Sequence, residues 1–223
     1  MGLGKLLDQE FEAVIFDMDG TLIDSTPAVE RAWTTWAIEH GLTRDDLRGN
    51  HGVPSAGVVR KVIAAEGQEA AIARINELEL EDVHDIVVLP GAAEALAALV
   101  TARNAIATSC TLPLAQARIA AASLVAPSVL VTADQVKRGK PAPDPFLEAA
   151  RRLGVDPKRC LVVEDAPAGL QAGHAAGCFT LAVVTTTPED QLFADAIVPN
   201  LAAVSFEVTA TGIRVRPAEA QAA

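Results

Sequence analysis

Positive charge is scarce in this sequence. Lysine and arginine number 18 against 29 aspartate and glutamate, a formal net charge of −11 over 223 residues. A surface this acidic repels phosphate backbones and anionic headgroups, so neither nucleic acid nor a membrane is an expected partner. Cysteine is scarce as well. Cys110, Cys160 and Cys178 are odd in number and lack Cys-x-x-Cys spacing. That argues against a disulfide framework or a zinc site and fits free thiols in a reducing compartment. No apolar run reaches the roughly 20 residues of a spanning helix. The N-terminal residues carry no long apolar segment of the signal-peptide kind, and no repeat of fixed period is present. A cytoplasmic protein is expected. The acid excess has one consequence for chemistry: an anionic substrate would need a site that brings its own positive charge.

Half of the residues are hydrophobic, enough to bury a full core. The length allows one large domain, or one domain with a small insert. A short apolar run over 12–17 ends in Asp17 and reads as a buried strand. Similar runs recur near 104–109, 128–132, 159–164 and 179–184, with a weaker one near 195–198. Helical patterns lie between them, at about 91–102, 113–123, 143–153 and 167–176. This alternation predicts an α/β fold, a parallel sheet with helices on both faces. Ligands of such sheets bind beyond the carboxyl ends of the strands.

The stretch 24–88 differs, with no strand expected before 86–89. Pro27 is placed to open a helix through about 40, and further helices are expected near 53–66 and 68–83. We therefore expect a small all-helical insert after the first strand, with hinges at its two exits. The domains are then 1–23 with 89–223, and 24–88. The tail after about 212 is expected to fray.

Asp17-Met18-Asp19-Gly20-Thr21 sets two carboxylates two apart at a strand end. Gly20 permits the chain to turn there and lets backbone approach closely. One carboxylate can attack while the other handles protons. Taken alone, the segment also has a plainer reading as a glycine-containing acidic turn after a strand. Thr108-Ser109, Lys140 and Glu164-Asp165 follow at or after later strand ends. Singly, these are a local cap, a solvated lysine and a helix-capping acidic pair. In the order carboxylates, hydroxyl, lysine, carboxylates they suit a phosphate and a metal.

That order and spacing resemble the haloacid dehalogenase superfamily in its phosphatase branch, over nearly the whole chain. The first motif stands as Asp17 to Thr21, the second ends at Ser109, the third is Lys140 and the fourth is Glu164-Asp165. The stretch Ala166-Pro167-Ala168-Gly169-Leu170-Gln171-Ala172-Gly173 is also similar. Pro27 to Trp33, His51-Gly52, Ala107-Thr108-Ser109 and Val136 to Pro141 resemble bacterial sugar- and hexitol-phosphate phosphatases. The resemblance implies a Rossmann-like core, with 24–88 as a helical cap. It implies Asp17 as nucleophile and Asp19 as general acid and base. Mg²⁺ would be held by the side chains of Asp17 and Asp165 and the carbonyl of Asp19. Glu164 would orient a bound water. Ser109, the neighbouring amide of Cys110, and Lys140 would bind phosphate. Asp17 would have its pKa held low by Mg²⁺ and Lys140, with Asp19 higher. His51 and Gly52 are candidate cap contacts with the substrate, a small phosphorylated sugar or polyol. A monomer or small homo-oligomer is expected.

The remaining cap candidates have plainer readings. Trp33 and Trp36, three apart on one helix, suit a core stripe; Glu30 and Arg60 suit solvated charges. His40, His84 and His174 lack metal-ligand spacing. A sugar phosphomutase of the same build is the nearest rival. The places of its basic cap pair look like Val29 and Ser55, which favours hydrolysis. A dehalogenase needs no metal and lacks the second aspartate. A receiver-type signalling module joins similar groups in another order.

Overall fold

A computed structural model describes residues 2–43, 45–50 and 52–218. Strand β1 (Ala13–Phe16) is followed by the two-residue β2 (Ile23–Asp24) and helices α1 (Thr26–Glu39), α2 (Ser55–Val62) and α3 (Gln68–Glu81). The equally short β3 (Val87–Val88) precedes a regular alternation. It runs α4 (Ala92–Ala98), β4 (Asn104–Ala107), α5 (Leu112–Ala121), β5 (Val129–Val131), α6 (Asp144–Leu153), β6 (Cys160–Glu164), α7 (Pro167–Ala176), β7 (Phe179–Val183) and β8 (Ala196–Val198). A hairpin of β9 (Val204–Val208) and β10 (Ile213–Pro217) follows.

Six strands form one parallel sheet in the order β5-β4-β1-β6-β7-β8. The six apolar runs expected from the sequence are these strands. Every residue of β1 is buried because both faces of the sheet are covered. Val14 and Phe16 pack with residues of α4, α5 and the C-terminal hairpin, while Ala13 and Ile15 pack with α6 and α7. The chain runs outward from β1 to β4 and β5, then crosses to β6 on the other side of β1. That reversal opens a crevice above the carboxyl ends of β1 and β6.

The helical insert has a core of its own: Ala32, Trp36, Val59, Ala71 and Ile75. Trp36 is buried and its Nε1–H donates to the Ala71 carbonyl at 2.8 Å. The Trp33 ring stands edge-on to it, centroids 5.2 Å apart. The exits differ from the hinges expected. Ile23 lies opposite Val88 and Asp24 opposite Val87, so β2 and β3 form an antiparallel ribbon joining insert to core. Two-residue strands have no period for a sequence to display. Helix α2 is shorter than expected, because Ile63 is already extended.

The fraying expected after about 212 is overturned for Ile213–Pro217, while 219–223 lie outside the described residues. β10 pairs with β9, and Ile213 and Val215 are buried. Buried Ile213 and Val215 alternate with the less buried Arg214 and Arg216, the period-two rule of a half-buried strand. Phe11 also exchanges backbone hydrogen bonds with Ile213, 2.8 Å each way, so this hairpin caps the entry to β1.

Candidate active site

The apolar strands carry acidic residues to the sheet's rim. The ladder between β1 and β6 continues one residue past β1, where the Asp17 amide donates to the Val163 carbonyl at 2.9 Å. Strand β6, buried throughout, ends at Glu164, and Asp165 follows. Oxygens of Asp17, Glu164 and Asp165 all lie within 4.8 Å of one another, and all three residues are buried. Lys140 enters from the loop before α6. Its Nζ donates to Asp17 Oδ1 at 2.5 Å and to Glu164 Oε1 at 2.7 Å, and sits 5.1 Å from the Phe146 ring centroid.

One ammonium among three carboxylates leaves uncompensated negative charge in a buried place. Hard oxygen donors so arranged fit a divalent cation such as magnesium. Neighbours fix each carboxylate. Asp165 Oδ1 accepts from Thr21 Oγ1 at 3.0 Å, and its Oδ2 accepts from the Thr186 hydroxyl. Glu164 Oε2 accepts the amides of Asp165 and Ala166 at 2.9 and 2.8 Å. Two glycines make room. Gly20 has φ +85°, and a Cβ there would strike the Asp165 carboxylate; one on Gly169 would strike that of Glu164.

Burial pushes Asp17 up, against the pull of Lys140. Burial also pushes Asp165 up, to about 7, with Glu164 adding repulsion and the Thr186 and Thr21 hydroxyls opposing. The low Asp17 expected from the sequence presumed a cation beside it; in the chain alone desolvation outweighs the lysine. Lys140 is itself penalised by burial, yet Asp17 and Glu164 more than offset this and hold it protonated.

The Asp19 side chain is held apart from the three-carboxylate cluster. Its Oδ1 accepts from Ser25 Oγ at 2.6 Å and Arg118 Nη1 at 2.9 Å, and its Oδ2 accepts from Cys110 Sγ at 3.1 Å. Ser109 Oγ donates across to the Gly52 carbonyl of the insert at 2.6 Å. The Cys110 amide donates to Thr108 Oγ1 at 3.1 Å. His51 lies outside the described residues. A cavity of about 440 Å³ opens between sheet rim and insert, lined among others by Asp17, Asp19, Ser109, Trp33, Glu79 and Arg118. Trp33 therefore serves the insert's core and the cavity wall together. Glu30 also borders the cavity, though exposed, and Arg60 is exposed as expected.

Sequence reasoning missed Arg118 and Glu79. Arg118 is 2% exposed and Glu79 is 4% exposed, and Arg118 Nη2 donates to Glu79 Oε1 at 3.1 Å. A signal existed. Arg118 follows buried Leu114 by four residues, and Glu79 follows buried Ile75 by four. Each charge thus stands on its helix's buried stripe, where an unpaired charge would be costly.

The family described as haloacid dehalogenase-like hydrolase matches residues 11–177. Hexitol phosphatase A of Escherichia coli is 46% identical over 175 residues, covering 76% of this chain and 81% of that protein. Glycerol-1-phosphate phosphohydrolase 2 of Saccharomyces cerevisiae is 33% identical over 206 residues, covering 86% of this chain and 82% of that one. Among solved structures, a beta-phosphoglucomutase from Clostridium difficile superposes with a TM-score of 0.76 at 21% identity, covering 86% and 92% of the two chains; that likeness is one of fold. The matched segment contains Asp17, Asp19, Ser109, Lys140, Glu164 and Asp165. The chain belongs to the haloacid dehalogenase-like hydrolase family.

Proposed function

We propose that this hydrolase is a magnesium-dependent phosphatase of small phosphate monoesters, most suited to sugar or sugar-alcohol phosphates. The observation that carries the reading is the gathering of Asp17, Glu164, Asp165 and Lys140, of which Asp17 and Asp165 line a cavity between the sheet rim and the helical insert. The substrate class is that of the hexitol and glycerol phosphatase relatives. Residues 24–88 act as a cap on a core of 1–23 and 89–223. Cys110, Cys160 and Cys178 are free, which suits work in a reducing cytoplasm. Among the described residues no helix is long and apolar enough to cross a membrane.

Asp17 attacks phosphorus, the bond from phosphorus to the ester oxygen breaks, and an aspartyl-phosphate forms. Asp19 gives its proton to the departing alkoxide. It then accepts a proton from the water that attacks phosphorus, and the bond to Asp17 breaks. Lys140 stays protonated and offsets charge on Asp17 and the phosphoryl oxygens. Ser109 lies at the cavity wall, where its hydroxyl can turn from the Gly52 carbonyl to a phosphoryl oxygen. Asp17, Asp165 and the Asp19 carbonyl would hold Mg²⁺, which would supply positive charge to offset repulsion between a carboxylate and a phosphate dianion.

A mutase would need cations for a second phosphate. Val29 lines the cavity as an apolar residue, and Ser55 donates to Glu79 Oε2 at 3.1 Å. Among the described residues lining the cavity, the cations are Arg48 and Arg118. Arg48 pairs with Asp45 at 3.0 Å, and Arg118 with Asp19 and Glu79. The test is phosphate release from a panel of hexose, hexitol, deoxysugar and glycerol phosphates, with Mg²⁺ and with EDTA. Release that EDTA stops is expected. No release from any ester would sink the phosphatase reading, and transfer from a bisphosphate onto a sugar monophosphate faster than hydrolysis would make it a mutase.

A pH signature follows from the carboxylates. Asp165 has a folded pKa of about 7 against an ordinary 3.8. A raised carboxyl stabilises the fold fully below its unfolded pKa, and that contribution is lost as pH rises through the folded one. In EDTA the melting temperature should therefore fall between about pH 4 and pH 7. Mg²⁺ takes the ionised carboxylates, so the gain in melting temperature on adding it should grow over the same window. A magnesium gain that is flat or shrinks with pH would contradict this cluster as the metal site.

A further inference from the structure

Arg118 belongs to α5 of the core, whereas Glu79 belongs to α3 of the insert; their ion pair is buried where both line the cavity. Stability does not account for it. A buried ion pair is commonly no better than well-packed apolar residues of similar volume. Ile75 and Ala71, one and two turns earlier on the same stripe of α3, show that apolar packing was available. The pair is also only partly satisfied. Glu79 Oε1 accepts from Arg118 and Oε2 from Ser55, which fills two of about four acceptor positions of a carboxylate. Arg118 Nε is buried without an acceptor. The other end of the same guanidinium holds Asp19, so the pair stands beside the group that meets the leaving oxygen.

We infer that Glu79 and Arg118 are the specificity pair of this site, selecting phosphate monoesters of hydroxyl-rich alcohols by bonding hydroxyls of the leaving group. A hydroxyl both donates and accepts. The pair offers it both: open acceptor positions on Glu79 and N–H groups on Arg118. An alkyl chain offers neither, and leaves buried polar groups facing hydrocarbon, which is how a site built for a hydroxyl rejects an analogue without one. The apolar Trp33, Val53 and Val58 line other parts of the wall and suit the carbon chain.

This inference rests on the phosphatase reading, and the test separates the two. Phosphate release from a hexitol 6-phosphate and from butyl phosphate is measured with the whole chain and Mg²⁺. Both leaving groups are primary alkoxides with similar need of a proton from Asp19, so a disturbance of Asp19 lowers both rates alike. For Glu79→Leu, the ratio of kcat/KM for the hexitol ester to that for butyl phosphate should fall at least about tenfold, mainly through KM of the hexitol ester. Glu79→Gln retains shape and one acceptor and should fall between, which guards against a folding failure in the leucine variant; melting temperatures accompany both. Equal losses on the two esters in both variants would overturn the specificity role and leave the phosphatase intact. No release of phosphate by the unaltered chain from either ester would overturn the phosphatase reading and this inference with it.

Discussion

Replacing Asp17 by asparagine should lower kcat for phosphate release by at least about 10⁴-fold while leaving the protein folded. An amide oxygen is a poor nucleophile and forms no acyl phosphate. No neighbouring carboxylate is free to substitute. Glu164 is held by Lys140 and by the amides of Asp165 and Ala166, and Asp165 is held by Thr21 and Thr186. The same change should raise the melting temperature in EDTA near neutral pH. Burial makes ionised Asp17 unfavourable in the fold, so its ionised form destabilises the metal-free protein, and asparagine carries no such penalty. Single-turnover phosphate release and thermal melts in EDTA check the two halves. Turnover of Asp17→Asn with magnesium near that of the unaltered chain would show that another group attacks.

The second large effect is on Lys140. Lys140→Ala should destabilise the metal-free protein by about 3–5 kcal/mol near neutral pH, the usual cost of leaving buried charges without their partner. Two carboxylates lose their counter-charge together, and the cavity left beside Phe146 adds to the loss. The sign with pH is definite. Protonating Asp17 and Asp165 removes the repulsion, and burial holds both carboxyls above their ordinary range, Asp165 at about 7, so the difference from the unaltered chain should shrink as pH falls from about 7. Chemical denaturation at several pH values in EDTA measures it. A loss under about 1 kcal/mol at neutral pH would mean that the lysine is not the main compensating charge. Lys140→Met, which restores most of the volume, should recover the cavity part of the loss and leave the electrostatic part.

Both predictions turn on residues that stand out in the sequence, and there is a physical reason for this. Asp17, Glu164 and Ser109 sit at or just beyond the ends of buried strands. A strand buried on both faces is an uninterrupted apolar run, and polar residues at its end are visible by contrast. The six sheet strands were legible for the same cause. Helices α1 and α3 were legible to within a few residues from their period. What escaped was short or conditional. The β2–β3 ribbon has two residues a side, too few for periodicity. The β9–β10 hairpin sits beyond what looked like the last core element, and alternation over Ile213 to Val215 was too brief to outweigh a polar tail. The proton affinity of Asp17 depends on how deep it lies, which no local pattern encodes.

Composition and strand–helix alternation by themselves determined an α/β fold, and the ordered motifs carried the resemblance to haloacid dehalogenase-like hydrolases, with a carboxylate pair at Asp17 and Asp19. They could do so because those properties are local: a strand end, a turn at Gly20, a charge count. Only the tertiary structure decided which groups surround those carboxylates. Lys140 lies 123 positions from Asp17, Arg118 lies 99 from Asp19 and 39 from Glu79. Contacts at such separations come from the order of strands in the sheet and the fold-back of the helical insert. An ion pair joining α3 to α5 has no expression in either helix alone beyond one charge on an apolar stripe.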